Sequence, residues 1–379
     1  MKNKISVVIP STRPESLKFA VRSVIQQKPE FFEIIISDNN PKGVNYSSNF
    51  KSFNNVRYFK TSKYLDLVDN WNFAFSKIKG DWVFLLTDKD IVIKSCAKIL
   101  DKLINENKKC EIFTWNQSVY KNDGESSLTM KNFYGRKKIF QSKKVIKKIF
   151  NFSGFFDKDI VPFFPRAIFS NRLIKDFKEI NGSFFLKPEP MLSSALSSLS
   201  LSDFFCVTDY PLVIKGFHTK NSAGNYLNEK FFLKLYKNTE IVKSPIKSKL
   251  CIPSWSYETL INFKEKFPKL FKNFKLNKFN YFFNCRLLEY TDFRNTKSIT
   301  FKNLTKEIKQ KIGRESLFLN VYVHLKILTY QMRRSRTLEY FLVILSKIFL
   351  LNKKGYFIVK KNITFYNCIK LIEKQIKKT

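Results

Sequence analysis

Glycine is scarce in this chain, at 10 of 379 residues, and histidine scarcer still, at 2. No G-x-G-x-x-G follows the first apolar run, so the chain lacks the turn that lets a backbone approach a dinucleotide pyrophosphate. That disfavours a dinucleotide oxidoreductase. The 6 cysteines (Cys96, Cys110, Cys206, Cys251, Cys285, Cys368) stand far apart, with no C-x-x-C pair. Their spacing speaks against zinc and against a disulfide framework, and predicts reduced thiols in a cytoplasmic protein. No run of eighteen apolar residues occurs, which argues against a membrane-spanning helix. The first apolar run, Ile5 to Ile9, is too short for a signal-peptide core and is broken by Pro10.

Acidic residues are also few, 31 against 69 basic, for a net charge of +38. Nucleic acid, an anionic membrane face and anionic substrates are the partners such a charge suits. A compositional bias that inflates Lys, Asn, Phe and Ile together accounts for a large share of it. Nucleic acid is not expected: no groove-reading motif is present, and the basic residues do not gather in one arm.

What is there is core-forming material, 44% hydrophobic residues including 41 Phe. Ile5 to Ile9 is an apolar, β-branched run apart from Ser6, as expected of a strand buried on both faces of a parallel sheet. Pro10-Ser11-Thr12-Arg13-Pro14 is a hydroxyl-rich turn, and Ser16 can cap a helix carrying Leu17, Ala20, Val21, Val24 and Ile25 on one side. Strands are expected at Phe32 to Ile36, Val56 to Phe59 and Trp82 to Leu86, with a helix from Asp69 to Ile78. Helices are expected over 91–107, in the second half of 131–152, and at 171–180 and 191–199. Short strands are expected at 112–115, 119–120, 204–207 and 212–214, the last two around an Asp209-Tyr210-Pro211 turn. Strand and helix alternate as in a nucleotide-binding α/β sheet. Beyond about residue 226 glycine nearly vanishes and helical periodicity prevails, as in 317–330 and 338–351.

The central motif is Gly80-Asp81-Trp82-Val83-Phe84-Leu85-Leu86-Thr87-Asp88-Lys89-Asp90. Residues two apart on an extended segment point the same way, so Asp88 and Asp90 can reach one cation. A divalent ion on two hard oxygen ligands, with positions left open, suits a diphosphate. A plain polar turn is the competing reading. Its place past an apolar strand, where open α/β sheets bind ligands, favours the chemistry.

Ile5-Ser6-Val7-Val8-Ile9-Pro10, the strand ending in Ser37-Asp38-Asn39, Asn70-Trp71-Asn72-Phe73-Ala74 and the Gly80–Asp90 motif together resemble, in order and spacing, family 2 glycosyltransferases of the GT-A fold. The resemblance runs over roughly residues 1–225, most like the surface- and capsular-polysaccharide members. It implies a mostly parallel Rossmann-like sheet with helices on both faces over 1–225, and leaves 226–379 as a basic, mainly helical extension. It implies an enzyme of hexosyltransferase type. A sugar would pass from a nucleotide-sugar, UDP-type, to a hydroxyl of a glycan or lipid-linked acceptor, with Mg²⁺ or Mn²⁺ and with inversion.

By the same resemblance Pro10, Thr12 and Arg13 border the nucleotide, Asp38 meets the base, and Asp88 and Asp90 form the metal-binding DXD pair, with Asp88 also at the nucleotide. Lys89 departs from the small or acidic residue usual there; its side chain is expected to point away or to meet phosphate. Glu189, in Lys187-Pro188-Glu189-Pro190 ahead of a helix of small residues, falls in the slot of the catalytic base, with Asp157, Asp159 and Asp203 as substitutes. A glutamate stabilised by a helix start is the structural alternative. Lys215, His218 and Lys220 lie on the loop that approaches the diphosphate, whereas His324 reads as structural.

The stretch Arg333-Arg334-Ser335-Arg336, apolar 338–351, Lys353-Lys354 fits either an anionic membrane surface, at its cytoplasmic face, or a buried helix of the extension. Two other functions stay open: an inactive GT-A-fold binding protein, and a nucleic-acid binder driven by charge.

Overall fold

The structure, a computed structural model, describes residues 3–13, 17–123, 125–130, 133–153, 160–217, 239–288, 299–315, 321, 325, 357–361 and 365–376. The chain divides into two compact units: Met1–Ile146 with Asp157–Ser222 and Tyr356–Thr379, and Lys147–Phe156 with Ala223–Gly355.

The first unit is built on one sheet. Its strands are β1 (Ile5–Ser11), β2 (Glu33–Asp38), β3 (Val56–Lys60), β4 (Trp82–Leu85), β5 (Ile91–Val92), β6 (Ile112–Asp123), β7 (Glu125–Met130), β8 (Lys137–Gln141), β9 (Ala167–Ser170), β10 (Phe204–Phe217) and β11 (Phe357–Lys361). Its helices up to residue 201 are α1 (Leu17–Ile25), α2 (Leu67–Phe75), α3 (Cys96–Glu106), α4 (Ser142–Phe150, which runs on into the second unit), α5 (Asn171–Asn181) and α6 (Pro190–Leu201). The main strand order is β11-β7-β6-β9-β4-β1-β2-β3, with β10 on β6, β5 and β8. β3, β2, β1 and β4 are mutually parallel, and beyond β4 the sheet continues antiparallel through β9. This is the GT-A, Rossmann-like arrangement.

The largely apolar β1 and β2 are buried on both faces, as parallel strands covered by helices require. On one face Ile5, Val7, Ile9, Ile34 and Ile36 pack with Leu17, Val21 and Val24 of α1 and with Ala97, Leu100 and Ile104 of α3. A phenylalanine-rich cluster ties α2 to later chain: Phe75 lies 4.7 Å from Phe185 and 5.2 Å from Phe164, ring centre to ring centre. Here the abundance of Phe becomes core.

The amino ends of the parallel strands are closed by a buried carboxylate, Glu33. Its Oε1 accepts from Ser6 Oγ (2.7 Å), Lys79 N–H (2.6 Å) and Gly80 N–H (3.2 Å), and its Oε2 pairs with Arg57 (2.5 Å). Gly80 has to be glycine: a Cβ there would meet Ser6 Oγ and come within 2.7 Å of the Lys4 carbonyl oxygen.

Several elements differ from expectation, each for a pairing reason. Ile91–Val92 is not the start of a helix but a short strand, because it pairs with Val213 and Ile214 of β10. Residues 204–217 form one strand rather than two around a turn, with a register shift between Thr208 and Val213 that absorbs Asp209-Tyr210-Pro211. The basic segment before α4 contains the strand β8, held by β10.

The last stretch of the chain does not stay with the extension. β11 pairs with β7, and Cys368, Ile369 and Ile372 of the helix Phe365–Ile376 join the core beside α3, while Glu373 accepts from Ser95 N–H (2.9 Å). An extension running unbroken over 226–379 is therefore corrected: apolar periodicity marks a helix but not the core it joins.

The second unit is helical where described, with helices Ile252–Lys266, Pro268–Phe271, Lys278–Leu288 and Ile299–Glu315. Trp255, Leu260, Phe263, Phe271, Tyr281, Leu304 and Ile308 form its interior. The expected helices 317–330 and 338–351, apart from residues 321 and 325, and His324 lie outside the described residues. Among the described residues no helix is long and apolar enough to cross a membrane.

Candidate active site

The carboxyl ends of β1, β2 and β4 converge on Ser11. Its backbone is in register with Asp38, and its carbonyl accepts from Asn39 N–H at 2.7 Å. Its hydroxyl donates to Asp88 Oδ2 at 2.8 Å and accepts from Arg13 N–H at 2.9 Å. Asp88 follows β4, which leaves the sheet beside β1 where Leu86 N–H donates to the Val8 carbonyl (2.9 Å). Ser11 thus links the strand end that carries Asp38 to the loop that carries Asp88. Both carboxylates stand at the carboxyl end of the parallel strands.

Asp38 is fully buried. Its Oδ1 accepts from Asn40 N–H (2.9 Å) and its Oδ2 from the Tyr58 hydroxyl of β3 (2.5 Å). Burial, reinforced by that bond to a carboxylate, pushes the Tyr58 phenol well above its usual range, so it stays a donor. Each Asp38 oxygen keeps a second lone pair for a further donor.

Asp88 is held by Arg13, whose Nη2 lies 2.8 Å from Oδ1. Asp90 differs. It is wholly buried, and its Oδ1 accepts from Gly216 N–H at 3.1 Å, while its Oδ2 has no well-aligned hydrogen bond and the neighbouring Thr87 hydroxyl, itself without an aligned partner, acts on the carboxylate. Burial drives its pKa upward against the opposing pull of Lys89 and Lys215. Burial lowers the pKa of Lys89, and Asp90, Lys215, Arg13 and Asp88 are the charges that act on it. Two carboxylates and three cations therefore share one electrostatic neighbourhood, and Gly216 and Lys215 at the end of β10 belong to it.

The donor set fits a divalent cation in kind. Asp88 and Asp90 offer hard oxygens, and Asp90 Oδ2, without a well-aligned donor, is the atom that a cation would satisfy. Among the described residues no group of three or more His, Cys, Asp or Glu side chains gathers for a metal. A two-carboxylate set leaves the remaining positions to water and phosphate.

Pro10 and Thr12 are half-buried on the Ser11–Arg13 turn. Glu189 is buried at the start of α6, where its carbonyl accepts from Ser193 N–H (2.9 Å) and its side chain makes no cap. Asp203 stands at the far end of β10 from Gly216, so it is not brought to the site. His218, Lys220, Asp157 and Asp159 lie outside the described residues. Sequence reasoning missed Ser11, Tyr58 and Gly216. Ser11 had a visible signal, a hydroxyl at the strand end in a turn already singled out. Tyr58 and Gly216 reach the site only through strand pairing.

No curated protein matches the chain. Among solved structures, a fragment of S. aureus TarS, residues 1–349, in complex with UDP-GlcNAc is similar at 13% identity, covering 81% of this chain and 81% of that one, with a TM-score of 0.48. The same fragment in complex with UDP is similar at 12% identity over 81% of this chain and 89% of that one, with a TM-score of 0.42. Those nucleotides are ligands of TarS. The stretch that holds Asp38, Asp88 and Asp90, residues 6–161, matches the family model described as glycosyl transferase family 2.

Proposed function

We propose that this chain transfers a sugar from a UDP-type nucleotide-sugar to a hydroxyl of a glycan or lipid-linked acceptor, with inversion at the anomeric carbon. The observation that carries the reading is the buried Asp90 oxygen without a well-aligned donor, two residues from Asp88 and at the carboxyl end of the sheet that also carries Asp38. A fold does not leave a buried carboxylate oxygen unpartnered without cost, and such groups collect at functional sites. The family-model match over 6–161 supports the same reading.

In this reading Asp38 accepts from a base N–H, with Pro10 and Thr12 bordering the nucleoside. Asp88 and Asp90 would hold Mg²⁺ or Mn²⁺, which when bound offsets charge on the diphosphate. Arg13, Lys89 and Lys215 supply positive charge on the protein's side, with His218 and Lys220 next along the chain. Glu189 takes the proton from the acceptor hydroxyl as its oxygen bonds to the anomeric carbon. The bond from that carbon to the phosphate oxygen breaks, and the electron pair leaves with the diphosphate. A hexose donor, a surface-glycan acceptor and work at the cytoplasmic face of a membrane complete the proposal.

A thermal-shift panel of UDP-, GDP-, CMP- and dTDP-sugars with and without Mn²⁺ tests it. UDP-sugars are expected to raise the melting temperature, more so with Mn²⁺; no response to any nucleotide-sugar rejects the reading. A second reading, binding without transfer, is favoured by one observation, the Arg13 guanidinium seated on Asp88. UDP release from a bound UDP-sugar, lost in Asp90→Ala, decides against it.

A further inference from the structure

The segment leading to Glu189 is tied down almost residue by residue. Asn72 of α2 donates from Nδ2 to the Phe185 carbonyl (2.9 Å) and accepts at Oδ1 from the Phe185 N–H (3.1 Å), as a neighbouring strand would. Leu186 N–H donates to Ser193 Oγ (2.9 Å). The Lys187 ammonium lies 2.5 Å from Asp66 Oδ2 and 3.3 Å from Asp69 Oδ2. Pro188 and Pro190 limit the backbone on either side of Glu189. Below, the Phe185 ring meets Trp71 edge-on, 5.2 Å between centres.

α2 is bound just as closely to the end of β2. Ser37 Oγ donates to Asn70 Oδ1 (2.8 Å). Asn39, next to Asp38, donates to the Leu65 carbonyl (2.8 Å) and accepts from the Leu65 N–H (2.9 Å). Asp66 then caps the helix by accepting from Asp69 N–H (2.9 Å). One helix therefore grips, on adjoining turns, the strand end bearing Asp38 and the segment bearing Glu189. Asp66 serves both, as helix cap and as partner of Lys187.

We propose that Asn72 and the Lys187–Asp66 pair are positioning residues, which hold the Glu189 segment in a set place relative to a donor bound at Asp38. The inference rests on the glycosyl-transfer reading and adds a geometric coupling between donor site and base. A proton acceptor displaced by about an ångström loses rate on the order of a hundredfold. Donor binding, made through other residues, is left alone. Lys187 is a sharp probe because its side chain is 40% exposed, and ion pairs so exposed contribute little to fold stability. A merely structural role predicts almost no effect of removing it.

The test uses the full chain with Lys187→Met, Lys187→Arg and Asn72→Ala. UDP release from UDP-glucose and UDP-N-acetylglucosamine gives kcat, and UDP titration gives Kd. Lys187→Met and Asn72→Ala are expected to lower kcat about tenfold to a hundredfold, with Kd for UDP within about twofold and Lys187→Arg close to wild type. Wild-type kcat in Lys187→Met overturns the inference, as does a loss of kcat matched by an equal loss of UDP affinity. Failure of the wild type to release UDP from either donor sinks the transfer reading instead. Amide hydrogen exchange then still judges the bracket: protection at 185–187 lost in Lys187→Met supports it, and unchanged protection overturns it.

Discussion

The two ends of the same parallel strands carry buried carboxylates that have been treated in opposite ways. At the amino end, Glu33 accepts from Ser6, Lys79 and Gly80 and pairs with Arg57, so each oxygen is satisfied. At the carboxyl end, Asp90 is as deeply buried but keeps one oxygen without a well-aligned donor, and its pKa is driven upward by burial. A carboxylate that is fully bonded stabilises the strands it joins. One that is left short is a cost the fold carries. The first end is fully bonded, and the second keeps a bonding position that the proposed donor site would use.

That contrast can be broken at either end, and the largest effect is expected at the first. Glu33→Ala leaves the Arg57 guanidinium without its buried partner, and chemical denaturation should register a loss of about 3–5 kcal/mol. The largest functional effect is expected at the other end: Asp90→Ala should cut UDP release from a UDP-sugar by roughly 10²–10³-fold, the range for losing one stabiliser of developing charge. Equal turnover in wild type and variant would place the chemistry elsewhere.

Gly80→Ala should cost about 1–3 kcal/mol through overpacking. In a double-mutant cycle Ser6→Ala should relieve only part of it, because the Lys4 carbonyl remains in the way. The smallest effect sharpens the comparison most. Asp90→Asn should stabilise the metal-free protein by about 1 kcal/mol, whereas Glu33→Gln should destabilise it. The sign follows from linkage: Asp90 binds its proton more tightly folded than unfolded, so its contribution falls as pH rises through its raised pKa. The advantage of the Asn variant should therefore vanish at acidic pH and grow toward neutrality. A Tm difference independent of pH would contradict it.

How much of this was legible beforehand varies by element. β1, β2 and β4 announce themselves because strands buried on both faces are predominantly apolar: Val83–Leu86 is wholly so, and Ile5–Ile9 is so apart from Ser6. The spacing of Asp88 and Asp90 past such a strand is visible in the sequence. Their unequal treatment is not, since it depends on Arg13 and Ser11 reaching one and Gly216 reaching the other. β8 and β9 escaped because strand propensity is weak in short segments, and neighbours decide. The Lys187–Asp66 pair spans a separation that no local pattern reports.

The amino-acid order alone determined the alternation of apolar runs and helices, the strand ends on which carboxylates stand, and the turn chemistry between them, because periodicity and burial are local properties. Tertiary structure decided which strands became neighbours, that residues 356–379 return to the first unit, and which buried oxygen went without a well-aligned donor. Those outcomes depend on groups far apart in the chain meeting within a hydrogen-bond length, a condition that only the folded packing can impose.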